Sequence, residues 1–84
     1  MEKIKEHIVN NICYTDLVYV RINKKLKIEY SKAEIEKLIG KLIIETKFED
    51  IKRIGKNYYL YNYKENVRLT INSYTTRIIT VDKI

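Results

Sequence analysis

Three observations predict an α+β domain whose helices precede its strands. Apolar residues recur at helical spacing through the first half of the chain, a capping box opens one of the helical stretches, and after Lys47 the apolar period falls from about 3.6 to about 2. β-branched and aromatic residues take over at the same point. Helices and strands segregated in this way are expected to form two layers, with about three helices on one face of a four-stranded antiparallel meander and the other face at least partly exposed. No repeat, low-complexity run or break in composition divides the 84 residues, so residues 1–84 are read as a single domain.

Ile4, Ile8 and Ile12, with Val9 beside them, mark Lys3–Ile12 as a short amphipathic helix that leaves His7 on its wet side. Thr15 is placed to cap a second helix, with Asp16 near the positive end of its dipole and Val18, Ile22 and Leu26 as its apolar stripe. The residues between them suit a tight connection, although one continuous bent helix also fits. In the third helix, Ser31-Lys32-Ala33-Glu34 forms a capping box ahead of Ile35, Leu38, Ile39, Leu42 and Ile43. Gly40 costs this helix roughly 1 kcal/mol relative to alanine, which marks either close approach of another element or a tolerated glycine.

The sheet half follows from turn chemistry and alternation. Ile51–Ile54 reads as a strand, Gly55-Lys56-Asn57 as a turn, Tyr58–Tyr63 as a second strand and Lys64-Glu65-Asn66 as the next turn. Val67, Leu69 and Ile71 alternate with Arg68, Thr70 and Asn72, so the first three should face inward. After a turn at Asn72–Thr75, Arg77–Val81 supplies the last strand, whose adjacent Ile78 and Ile79 leave its register open. Alternation separates Tyr59, Tyr61 and Tyr63 from Tyr58 and Leu60, and the set matching Val67, Leu69 and Ile71 across the hairpin must be the buried one.

A domain of this size buries roughly 60–65 % of its unfolded surface, enough for one small core and no deep cleft. Its formal charge of +6 and pI near 9.4 favour an anionic partner, either nucleic acid or an acidic protein surface. Cys13 is the only cysteine and His7 the only histidine. An internal disulfide is therefore excluded, no metal site or cofactor is expected, and a reducing cytoplasm suits the chain. The charged N-terminal segment lacks an apolar core and no long apolar run occurs, so an unsecreted protein with no membrane partner is expected.

Gly55-Lys56-Asn57-Tyr58-Tyr59, Leu69-Thr70-Ile71-Asn72, Ile78-Ile79-Thr80 and Asp82-Lys83, with Tyr14-Thr15-Asp16 and Arg21-Ile22, resemble a small bacterial domain family of unknown function about as long as this chain. That resemblance implies kinship over nearly the whole sequence and supplies no activity. A weaker likeness links Ile54–Tyr59 and Val67–Ile71 to the sheet of toxin nucleases that resemble double-stranded-RNA-binding domains. Those toxins carry a histidine soon after the glycine, where this chain has Asn57, and asparagine does not serve as a general acid or base.

Catalytic groups are sparse. His7 and Cys13 lack a glycine-rich elbow and an orienting third group, and read as an exposed histidine and a small buried thiol. A histidine-free RNase using the RNA's own 2′-hydroxyl would need a tyrosine or lysine, whose unperturbed pKa of about 10 makes a poor base at neutral pH. No residue is therefore assigned as catalytic. Binding is the better use of Lys52, Arg53, Lys56, Asn57, Tyr59, Tyr61, Arg68 and Arg77, since cations neutralise phosphate and tyrosines stack on bases or fill a partner's pocket. Arg21, Lys24, Lys25 and Lys27 form a secondary basic patch. RNA or DNA is the first expected partner. A protein target is the second, as for the small basic inhibitors of phages and mobile elements, anti-CRISPR and antitoxin-like proteins among them.

Overall fold

The computed structural model of the chain describes residues 3–84. Helices α1 (Lys3–Asn11), α2 (Asp16–Leu26) and α3 (Lys32–Glu45) come first. A 3₁₀ turn at Phe48–Asp50 leads to strands β1 (Ile51–Ile54), β2 (Asn57–Asn62), β3 (Val67–Asn72) and β4 (Ile78–Lys83). The strands form one antiparallel meander in the order β1-β2-β3-β4. The expected α+β architecture is therefore the observed one. Met1 and Glu2, which the sequence reading includes in the charged N-terminal segment, lie outside the described residues.

The capping box forms as the sequence implies: Ser31 Oγ accepts from Glu34 N at 3.2 Å, and the Glu34 carboxylate accepts from Ser31 N at 2.8 Å. Thr15 sits at the α2 N-cap position, but its side chain makes no capping bond. The first two helices are separate, because the intervening backbone is used elsewhere. Cys13 N donates to Thr76 O and Ile78 N donates to Cys13 O, both at 3.0 Å, forming a parallel bridge to Arg77. That bridge turns the Cys13 thiol to the surface, so the expected buried thiol is an exposed one. Gly40 has nothing within 4 Å of where a Cβ would stand, and is a tolerated glycine.

One apolar core joins the two layers. Ile8, Val18, Ile22, Ile35, Ile39, Leu42 and Ile43 from the helices meet Leu60, Val67, Leu69, Ile71, Ile78 and Val81 from the strands. Register follows the hairpin argument: Tyr58 opposes Ile71, Leu60 opposes Leu69 and Asn62 opposes Val67. β4 runs Ile78–Lys83 where Arg77–Val81 was expected, and β2 begins and ends one residue early. Between the Thr70–Thr80 and Ile71–Ile78 pairs the register shifts, leaving Ile79 as the extra residue. The bulge lets both Ile78 and Val81 reach the core, which strict alternation forbids.

At the C-terminal end of α3, free carbonyls need donors. Lys5 Nζ donates to Ile44 O and Thr46 O at 2.9 and 2.8 Å. The Leu42 carbonyl accepts from Thr46 Oγ1 at 2.7 Å and from Asn62 Nδ2 at 3.1 Å, while Asn62 Oδ1 accepts from Glu65 N at 2.9 Å. Asn62 is 1 % exposed, so a side chain on the core face of β2 puts both ends of its amide to joining α3 to the β2–β3 turn. Across the helices, Tyr19 donates to Glu36 at 2.6 Å, and that bond pushes its hydroxyl up to about 12. No described helix is long and apolar enough to cross a membrane.

Asn62→Ala strands the Glu65 amide and one Leu42 lone pair, and should lower the unfolding free energy by about 2 kcal/mol. Ser31→Ala should cost about 1 kcal/mol. Urea titration checks both, and an unchanged midpoint for Asn62→Ala would show the tie to be inert.

Candidate functional site

Strand alternation distributes the hairpin's polar and aromatic residues over two distinct regions. The sheet face opposite the helices carries Lys52 and Ile54 from β1, Asn57, Tyr59 and Tyr61 from β2, Arg68, Thr70 and Asn72 from β3, and Thr80 and Asp82 from β4. Tyr63 follows β2 with its ring near-parallel to that of Tyr61, their centroids 6.1 Å apart at 18°. Apart from Thr70, no side chain on this face is buried. It is a wet surface made of tyrosines, amides, hydroxyls and cations.

Arg68 stands at its centre, 5.7 Å over the Tyr59 ring, where the aromatic face attracts the guanidinium. The neighbouring Tyr61 hydroxyl, ahead of Asp82, holds Arg68 more firmly protonated than an ordinary arginine. Asp82 is shared by two cations, Lys25 at 2.9 Å and Arg68 at 3.5 Å. The bond from Lys25, with Arg68 behind it, holds the Asp82 carboxyl below its ordinary value. Arg68 Nε and Thr80 Oγ1 are buried beneath this face and have no hydrogen-bond partner among the described residues. Asn57 donates to the Tyr59 hydroxyl at 3.3 Å.

Arg53 points to the other side of the sheet. Its guanidinium lies 6.0 Å from the Tyr58 ring and 5.7 Å from that of Tyr74, at the loop end beyond the helices. Lys56 belongs to the same end, since its carbonyl accepts from Ser73 N at 2.7 Å and Ser73 Oγ at 2.8 Å, strapping the β1–β2 turn to the β3–β4 turn. Gly55 makes the first of these turns possible with φ of +61°. In the second, Asn72 Oδ1 accepts from the amides of Tyr74 and Thr75, and the exposed Arg77 follows. The structure thus gathers Lys52, Asn57, Tyr59, Tyr61 and Arg68 on the open face. Arg53, Lys56 and Arg77 lie at its loop end.

The secondary patch is partly engaged in the fold. Arg21 donates to Ile79 O at 3.0 Å, Lys25 pairs with Asp82, and Lys27 is the C-cap of α2 with a left-handed φ of 57°. Lys24 is exposed beside Leu17 and Val20, which are 75 % and 65 % exposed. Sequence reasoning missed those two, together with Tyr74, Asp82 and Glu45. Leu17 and Val20 fall outside the stripe of Val18, Ile22 and Leu26, and that was the available signal. Among the described residues no three His, Cys, Asp or Glu side chains gather to hold a metal ion.

A family model described as a protein of unknown function (DUF3781) matches residues 6–82, nearly the whole chain. No curated protein and no solved structure matches it.

Because the folded-state pKa of Asp82 lies below its ordinary value of 3.8, its pairing contributes stability that is present above that value. The contribution is lost as pH falls through the lowered folded-state pKa. Asp82→Asn should therefore be less stable than the parent near neutral pH, with the gap narrowing below about pH 4. Urea midpoints measured across that range check this, and a gap independent of pH would contradict it.

Proposed function

Since the chain belongs to the DUF3781 family of proteins of unknown function, we propose a role from its own surface: it is a small module that binds single-stranded nucleic acid, RNA foremost. The observation that carries this reading is the open sheet face on which Tyr59, Tyr61 and Tyr63 accompany Lys52 and Arg68. Bases stack on aromatic side chains whatever their identity, and cations alongside track the phosphates. A four-stranded sheet with aromatics on a central strand suits an extended strand better than a duplex, because duplex bases are already stacked.

The loop-end cations extend the track. A strand crossing the face past Lys52 and Arg68 reaches Arg53, Lys56 and Arg77, where Tyr58 and Tyr74 already hold Arg53. Binding, with no bond made or broken, is the use we assign to these groups. Asn57 stands where the toxin-type nucleases that the sequence weakly resembles carry histidine, and its amide donates to the Tyr59 hydroxyl.

One observation favours a second reading. Leu17 and Val20 project from α2 beside Arg21 and Lys24, an apolar and basic helix face suited to an acidic, apolar helix of a protein target. An inhibitor of the kind found in phages and mobile elements would work through such a face. In that case Leu17→Asp would abolish binding to the target and Tyr61→Ala would not.

For the leading reading, a fluorescein-labelled single-stranded RNA should bind with an affinity that falls steeply between about 50 and 200 mM salt. Tyr61→Ala should cost about 1–3 kcal/mol, and Lys52→Ala or Lys56→Ala should each reduce the salt slope by about 0.7. Fluorescence anisotropy reads all of these. No detectable binding to RNA or DNA at low salt would remove the proposal.

A further inference from the structure

We infer that Lys25 and Arg68 form a seat for one phosphate of the bound strand, and that the Asp82 carboxylate occupies this seat as an internal competitor. The inference rests on the single-strand reading above and adds α2 to the path of the strand. Tyr61, Arg68 and Asp82 stand opposite one another across β2, β3 and β4. They span two strand spacings, roughly 10 Å. A strand stacked on Tyr61 and running along this row passes Arg68 and arrives at Lys25.

The seat is recognised by the way its present anion is held. Asp82 Oδ1 accepts from Lys25 Nζ at 2.9 Å, and Oδ2 faces the Arg68 guanidinium at 3.5 Å. One oxygen for each cation is also what a phosphodiester offers, with its two unbridged oxygens and single negative charge. Carboxylate and phosphate therefore ask the same two contacts of the same two side chains.

Exchange of one anion for the other is physically accessible. The Arg68 contact lies at the limit of a hydrogen bond, and Lys25 is exposed, where ion pairs are worth little. Arg68 does not depend on Asp82 for its position. The Tyr59 ring lies 5.7 Å from its guanidinium, and the Tyr61 hydroxyl is its other side-chain partner. Any carboxylate on a basic surface weakens anion binding through space, so the property that distinguishes a competitor is coupling. While Asp82 holds Lys25, that ammonium adds little to phosphate binding; with residue 82 neutral, it adds a full contact.

The test titrates a fluorescein-labelled uridine decamer with the full chain, by fluorescence anisotropy, between about 50 and 200 mM salt. Asp82→Asn, shown to be folded by circular dichroism, should bind about fivefold tighter at the lower salt, with a slope steeper by about 0.7, as one added phosphate contact requires. Lys25→Gln should cost less than about twofold in the parent and about fivefold in the Asp82→Asn background, a departure from additivity that only neighbours show. Glu49→Gln removes the same charge from an exposed residue outside the described ion pairs, and should leave the slope unchanged. On the unaltered chain, the NMR signal of the Asp82 carboxylate carbon should move as the decamer is added. Additive effects of Asp82→Asn and Lys25→Gln, no gain in affinity from folded Asp82→Asn, or a carboxylate signal that stays put while the decamer binds would overturn this inference and leave the single-strand reading standing. Binding by neither the parent nor Asp82→Asn would remove both.

Discussion

The hydrogen bond from Asn62 to the Leu42 carbonyl is the interaction on which the arrangement of this domain turns. A polar side chain on the core face of a strand is costly unless every bond is made, and Asn62 makes one on each side of its amide. It can do so in only one register, because a slip of one residue would swing it to the wet face. Fixing Asn62 inward fixes Leu60 and Tyr58 inward as well. Tyr59, Tyr61 and Tyr63 then have nowhere to go but outward, so the aromatic surface is a by-product of a structural tie made from the opposite face of the same strand.

Much of this was legible because it is local. The capping box needs only Ser31 and Glu34, three residues apart, and the inward set of β3 needs only the alternation of Val67, Leu69 and Ile71. What escaped depends on contacts distant in sequence. Cys13 reads as a small apolar residue until its backbone is seen pairing with Thr76 and Ile78. The Ile78-Ile79 register was ambiguous because a bulge, unlike alternation, leaves no periodic trace in composition. Arg53 and Lys52 are neighbours in the chain and cannot share a face, so the basic hairpin that seems one patch in sequence becomes two regions in space. Glu45 gave no signal of its own. One of three glutamates in a helix that also carries three lysines, it looks like ordinary surface charge until its unbonded oxygen is located.

Electrostatically, the open face is organised around a shortage of carboxylates. Asp82 is shared by Lys25 and Arg68, and Arg68 is held further by the Tyr61 hydroxyl and the Tyr59 ring. Such an arginine has its rotamer chosen in advance, and ordering it costs a ligand little. The Lys25 contact also joins α2 to this face, so the basic end of the helix and the tyrosine surface are mechanically continuous. The two regions that sequence suggested as primary and secondary patches therefore meet at one carboxylate.

β1 is a border strand, four residues long, with Lys52, Arg53 and Ile54 all exposed. An unpaired strand border invites another chain to continue the sheet, and short length and positive charge are what discourage it. The cations that would attract a ligand here are thus also of the kind that discourages edge-to-edge pairing between copies. Neutralising them would loosen a guard against self-association while weakening recognition, and selection acting on solubility alone would preserve the same residues. A patch of this kind can persist before it has a ligand, and acquire one later without changing its sequence.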